Sequence, residues 1–257
     1  MPPRNPLLRA VHSVVVKVPP LINAYRAVRD YSKHDFLATS IYKKVFDRGR
    51  LKLQWIEAES LSPEAGAVTL PAIYPIFAGE DAPLIDVLFL LNLAKARKVM
   101  RILEVGTYRA RTTLALHLNR PEARIVSYDI QVLPSRFRDQ LIGVDRVELR
   151  HASFSDSAEI LKKEEPYDFI FVDGSHILEH VLEDSTLAFQ ILAKGGVIVW
   201  HDYRQNEYYT AGLRVPEALA ILQHQYPIFG VRGTTCAVHT LAPSNLGTSL
   251  NAKRPGP

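Results

Sequence analysis

The sequence predicts an α/β fold, a mostly parallel sheet covered by helices on both faces. Three observations predict it. Short apolar runs alternate with helix-period segments from about residue 81 onward, and these runs end at turn residues. The first complete unit, residues 102–129, reads strand, glycine turn, helix, strand, acid. Short apolar runs lacking polar alternation suit strands buried on both faces, the usual condition of a parallel sheet.

The elements follow in order. Asp81-Ala82-Pro83 opens a helix running to about Lys98, with proline near its first turn. Strands are expected at 101–105, 124–128, 147–151, 168–172 and 196–200. Helices are expected near 111–119, 134–141, 156–163, 177–193 and 214–225. Ile228 to Leu241 holds two β-like runs about Gly233 and predicts a closing hairpin. These elements make one domain over residues 80–241. Ahead of it, residues 1–79 read as a helical extension or lid. Pro19-Pro20 divides two helical pieces, 33–46 suits a third, and Ser60 to Glu80 reads as an ordered connector or lid. The polar residues 242–257 read as a disordered tail.

Composition bounds the function. The chain has 257 residues, 47% of them hydrophobic, enough to bury one large core. No stretch reaches the ~18 uninterrupted apolar residues of a membrane span. Arg9 and Lys17 break the apolar stretch where a secretory signal would lie. Cys236 is the single cysteine, which excludes an internal disulfide and fits a reducing cytosol. Charge is lopsided. Residues 1–53 hold 11 Lys and Arg against 3 Asp and Glu, a net of +8 in a chain of +4. Apolar residues recur there at helical spacing: Leu7, Val11, Val14 and Val15, then Leu21, Ala24 and Val28. Such a segment either caps the domain with its charge toward water or lies peripherally on the inner surface of an anionic membrane. Zinc-finger spacing and ribonucleoprotein aromatics are both missing, so no nucleic-acid partner is expected. Association into a homo-oligomer is left open.

Residues 102–129 carry the first chemistry. Ile102-Leu103-Glu104-Val105 leads into a turn built on Gly106, and Arg124-Ile125-Val126-Ser127-Tyr128 ends in Asp129. Glycine lets the backbone approach a ligand closely. Asp129 lies 23 positions beyond Gly106, close to the spacing of an acid that takes the ribose hydroxyls of a nucleoside. A pyrophosphate-binding loop needs three glycines, yet Tyr108 fills the second position and no third follows. The turn better suits a phosphate-free adenosine cofactor with an amino-acid end, whose ammonium Glu104 could face.

Two further strand ends stand out. Phe169-Ile170-Phe171-Val172 ends in Asp173-Gly174-Ser175-His176, and Val197-Ile198-Val199-Trp200 ends in His201-Asp202-Tyr203. As neighbours, these strands bring two carboxylates and two imidazoles together at the carboxyl edge, where open α/β sheets place ligands. That set suits a divalent metal such as Mg²⁺ or Mn²⁺ held by Asp173, Asp202 and His201. It equally suits metal-free general base work by His201 or His176. Either acid can also simply cap the helix that follows.

The run Glu104-Val105-Gly106-Thr107-Tyr108-Arg109-Ala110-Arg111-Thr112, Asp173-Gly174-Ser175-His176, Asp184, Lys194-Gly195-Gly196 and His201-Asp202-Tyr203, taken in that order, resembles the class I S-adenosylmethionine-dependent methyltransferases. The likeness spans about residues 80–240 and is greatest to the small-molecule O-methyltransferase branch. It implies a Rossmann-like, doubly wound sheet of seven strands with the last antiparallel. It also implies S-adenosylmethionine as cofactor and a small-molecule or glycan hydroxyl as acceptor. Glu104, Gly106, Thr107 and Tyr108 would line the methionine end, Asp129 would hold the ribose, Ser153 and Phe154 would border the adenine, and Asp173 would sit beside the methyl group. The chain departs from the family at Ala110, where glycine is usual, and in carrying His201-Asp202 where metal-dependent relatives have Asp-Asp or Asp-Asn. Tyr203, Arg204, Tyr208 and Tyr209 are candidates to line the acceptor pocket. Two other classes use related folds: a cofactor-binding protein without catalysis, tethered through the basic N-terminus, and a nicotinamide-dependent oxidoreductase, against which the missing glycines argue.

Overall fold

The computed structural model describes residues 53–61, 67–70, 82–141, 143–203 and 214–240. The helical pieces expected before residue 53, most of the connector, Arg204, Tyr208, Tyr209 and the tail lie outside the described residues. In chain order the elements are β1 (Gln54–Ile56), α1 (Ala58–Leu61), α2 (Leu84–Ala96), β2 (Arg101–Val105), α3 (Arg111–Asn119), β3 (Arg124–Asp129) and α4 (Ser135–Arg138). They continue with β4 (Val147–His151), α5 (Ala158–Leu161), β5 (Tyr167–Val172), α6 (Leu178–Ile191), β6 (Leu192–Trp200), α7 (Val215–Leu222), β7 (Ile228–Val231) and β8 (Ala237–Thr240). Among the described residues no helix is long and apolar enough to cross a membrane.

One sheet holds all the strands, in the order β1-β7-β8-β6-β5-β2-β3-β4. β8 runs antiparallel to β6 and β7, and the other pairings are parallel. The last strand is therefore the antiparallel one, as expected, but among the described residues the sheet has eight strands rather than seven. The additional strand is β1, which pairs Gln54, Trp55 and Ile56 with Phe229, Gly230 and Val231. Three residues are too few to show a period of two, and β1 exists because β7 offers it an edge. Gly230 makes the contact possible, since a Cβ there would lie 2.8 Å from atoms of both the Trp55 and Tyr203 rings.

The sheet separates two apolar cores, and strand alternation sorts residues between them. Leu103, Val105, Val126, Tyr128, Ile170, Val172, Ile198 and Trp200 pack with residues of α6 and α7. Ile102, Ile125, Phe169, Phe171, Val197 and Val199 pack with residues of α2 and α3. The same parity places Glu104, Ser127, Asp173 and His201 on the α2/α3 side, just beyond the apolar layer. Pro83, with φ −53° and ψ 143°, holds the chain extended ahead of α2, and its carbonyl accepts the Asp86 and Val87 N–H groups.

Candidate active site

The turn after β2 is built from backbone. Gly106 has φ +102°, and a Cβ there would land inside the Asp173 backbone carbonyl. Only glycine fits. Gly174 reciprocates, since its Cβ would come 3.0 Å from Val105 Cγ1. The Asp173 N–H donates to the Val105 carbonyl at 2.8 Å, so the ends of β2 and β5 interlock. Gly106 and Thr107 donate their N–H groups to the Tyr128 carbonyl at 2.8 and 3.2 Å. Tyr108 follows with φ +46°, its N–H donating to Asp129 Oδ2 at 2.7 Å, while the Gln131 N–H donates to Oδ1 at 2.7 Å. One backbone donor on each oxygen fixes the Asp129 carboxylate and leaves its remaining lone pairs for a diol. The exposed Tyr108 ring lies beneath the Arg109 guanidinium, 4.7 Å from its centre. Ala110, at φ +55°, accepts a left-handed conformation that glycine adopts without strain.

Glu104 is fully buried beneath this turn. The Thr113 and Ser127 hydroxyls both donate to Oε2, the latter at 2.6 Å, and Ser127 Oγ also meets Thr107 Oγ1 at 2.6 Å. Oε1 has no hydrogen-bond partner among the described residues. Burial pushes the carboxyl up to about 7, against the pull of the two hydroxyls and with a push from Asp173 and Asp129. A buried acceptor atom without a donor is costly in isolation and suits a cationic group of a ligand.

Beyond β5 and β6 the site is built from charged side chains. His201 is buried, with Nδ1 3.1 Å from Asp173 Oδ1 and 3.4 Å from Asp202 Oδ2. Its Nε2 lies 3.1 Å from Asp86 Oδ2. Burial alone would depress its pKa, but Asp173, Asp202 and Asp86 outweigh it and hold the imidazole well above its usual range. Asp202 is pulled well below the carboxylate range because His176 and His201 outweigh its burial. His176 Nε2 lies 2.8 Å from Asp202 Oδ2, an ion-pair distance reached out of line for a hydrogen bond. That attraction, opposed by burial, raises His176 as well. Asp202 takes φ +57°, a left-handed conformation tolerated by aspartate and frequent where a site stores strain. Ligand atoms of Asp173, His201 and Asp202 all lie within 4.8 Å of one another, a donor set that fits a divalent cation.

Most expected residues thus converge, and the surroundings of the others are as follows. Phe154 is buried edge-on against Tyr128, with centroids 5.5 Å apart, while the neighbouring Ser153 is half-buried. Tyr203 is buried rather than placed in an acceptor pocket. Its hydroxyl accepts the Leu53 N–H at 2.9 Å and its ring packs on Trp55. Asp184 is buried in α6, where burial lifts its carboxyl to about 6. Asp86 is the member that sequence reasoning missed. Its signal is position: Asp86, Phe89, Leu90, Leu93 and Ala94 share one buried stripe of α2, so an acid stands where the helical period demands an apolar residue.

Residues 103–203 match the family described as a methyltransferase domain. The match begins within β2 and ends just beyond β6, so it contains both the glycine turn and the charged cluster. The O-methyltransferase from Bacillus cereus, solved in complex with SAH, is similar in fold at 17% identity and a TM-score of 0.51, over 85% of this chain and 97% of that one. The SAH-bound methyltransferase PaMTH1 of Podospora anserina is similar at 17% identity and a TM-score of 0.51, over 63% and 80% of the two chains. No curated protein matches the chain in sequence.

Proposed function

We propose that the chain, whose residues 103–203 match a methyltransferase domain, uses S-adenosylmethionine to transfer a methyl group to a hydroxyl oxygen of a small molecule or glycan. The observation that carries this reading is the interlock of two differently built regions. The glycine turn with Glu104 and Asp129 meets the Asp173–His201–Asp202 cluster through the Asp173–Val105 backbone bond of 2.8 Å. Bound S-adenosylmethionine supplies a methyl group already activated by its sulfonium. The chain supplies alignment, which can be worth ~7–11 kcal/mol of a barrier. The unpartnered Glu104 Oε1 suits the donor's ammonium, Asp129 its ribose hydroxyls, and Asp173 belongs beside the methyl group. Thr107 and Tyr108 would line the methionine end, and Ser153 and Phe154 would border the adenine.

The acceptor hydroxyl must lose a proton. Both nitrogens of His201 face carboxylates, which accept from N–H groups and favour the doubly protonated ring, so without a bound cation it offers no free lone pair to take a proton. The His176 side chain is 38% exposed against 7% for His201, and we assign proton uptake to it, with Asp202 stabilising the imidazolium. His201 then joins Asp173 and Asp202 as the ligand set for Mn²⁺ or Mg²⁺, with imidazole favouring Mn²⁺. Such a cation would supply Lewis acidity that lowers the pKa of the hydroxyl.

Calorimetric titration with S-adenosylhomocysteine, with and without Mn²⁺, tests the reading. Micromolar binding that disappears in Asp129→Ala is the expected result. Failure of the parent protein to bind under either condition would overturn it.

A further inference from the structure

Asp86 is the one charged side chain of α2 that faces the cluster, and it is fully buried. Its carboxylate is held by three donors from two distant segments. The Thr235 N–H donates to Oδ1 at 2.9 Å, the Thr235 hydroxyl to Oδ2 at 2.5 Å, and His201 Nε2 lies 3.1 Å from Oδ2. Thr235 sits in the connection between β7 and β8, and its carbonyl accepts the Tyr203 N–H at 2.8 Å. The group that orients His201 is thus itself oriented by the β7–β8 turn, from a direction independent of the two strand ends carrying Asp173 and Asp202.

The consequence for His201 is tautomeric. A carboxylate with all its donors in place accepts from Nε2 and cannot donate to it, so the proton on Nε2 is fixed. The other nitrogen, Nδ1, then points at Asp173 and Asp202 with one site to fill, by a proton or by a cation. An imidazole that ligates a metal ordinarily gives its second N–H to a carboxylate or carbonyl, which sets ring orientation and raises ligand basicity. We propose that Asp86 is a positioning residue for divalent-cation binding, acting by locking His201 with Nε2 protonated and Nδ1 presented to the ligand set of Asp173 and Asp202. Asp86 itself is no ligand. This rests on the cation reading of the site given above.

The test is Mn²⁺ binding to the full chain, followed by electron paramagnetic resonance of free Mn²⁺, in the parent, Asp86→Asn, His201→Ala and the double variant. Loss of such an outer carboxylate typically weakens a metal site 10–100-fold, so Asp86→Asn is expected to bind Mn²⁺ about 10–100-fold more weakly. In the His201→Ala background the same change is expected to add less than about twofold, because Asp86 acts through His201. Thr235→Val, which keeps the carboxylate but removes one support, gives a smaller loss and covers the case in which Asp86→Asn does not fold. S-adenosylhomocysteine binding within about twofold of the parent certifies that each variant is folded. Equal Mn²⁺ affinity in the parent and Asp86→Asn overturns the proposal, as does a full additional loss in the double variant. A parent that binds S-adenosylhomocysteine but no Mn²⁺ overturns it together with the cation reading, and leaves the methyltransferase reading standing.

Discussion

Glu104 and Asp86 are both fully buried carboxylates on the α2/α3 side of the sheet, yet their surroundings are opposite. Around Glu104 the site is backbone and hydroxyl: two side-chain donors share one oxygen and the other oxygen has none. Around Asp86 both oxygens are engaged, one by a backbone N–H and the other by a hydroxyl and an imidazole. The first leaves one oxygen without a donor among the described residues, which is costly in isolation and suits a cation. The second is a finished brace whose purpose is to hold another side chain. Burial alone therefore says little about the role of a charged group; the count of donors around it says more.

The largest effect is expected at Gly106. Its φ of +102° and the overlap of any Cβ with the Asp173 carbonyl mean that Gly106→Ala must push the β2 and β5 ends apart. A loss of about 4 kcal/mol in urea unfolding is expected, combining overpacking with backbone strain. Both halves of the site should fail together. Retained S-adenosylhomocysteine binding would show that the two ends are not coupled.

Glu104→Gln sharpens the contrast. A carboxyl raised from 4.5 to about 7 binds its proton more tightly in the folded state. Its stabilising contribution is fully present below the unfolded pKa and is lost as pH rises through about 7. That loss is worth about 3 kcal/mol. The neutral variant escapes it, so Glu104→Gln should be more stable than the parent by about 3 kcal/mol at pH 8 and nearly equal at pH 4.5, while binding S-adenosylhomocysteine more weakly. A stability difference that does not change with pH would mean that the socket is already filled.

His201→Ala probes the other region. Turnover should fall on the order of 100-fold, with affinity for S-adenosylhomocysteine nearly intact, since the His201 ring pairs with Asp173 and Asp86. Equal turnover in variant and parent would remove His201 from the mechanism. Tyr203→Phe leaves the Leu53 N–H without its acceptor and should cost about 1–2 kcal/mol in unfolding. Smallest of all, Ala110→Gly relieves a left-handed alanine at φ +55°. It should gain up to about 1 kcal/mol, net of the added freedom of the unfolded chain.

The two regions also differ in how far the sequence foretells them. The Glu104–Asp129 socket lies within one strand–turn–helix–strand unit, so its glycine, its acid and their spacing are local signals. The expected strands 101–105 and 147–151 and helix 111–119 coincide with the observed β2, β4 and α3. Asp173, His176, His201 and Asp202 were visible because each ends an apolar run. Asp86 was not, because a lone acid near a helix start reads as an exposed first-turn residue until tertiary packing brings Thr235 and His201 to it. Tyr203 was legible as an aromatic at the site's edge, but its inward turn depends on Trp55 and on β1, a strand too short to announce itself.

The hydrogen bond from Leu53 to Tyr203 joins the chain ahead of β1 to the residue directly after Asp202. Thermodynamic linkage is reciprocal, so to whatever degree docking of β1 through Tyr203 favours ligand binding at His201 and Asp202, the ligand tightens the docking of β1 by the same free energy. Amide exchange at Trp55, far along the sequence from any group that touches substrate, thereby becomes a gauge of occupancy.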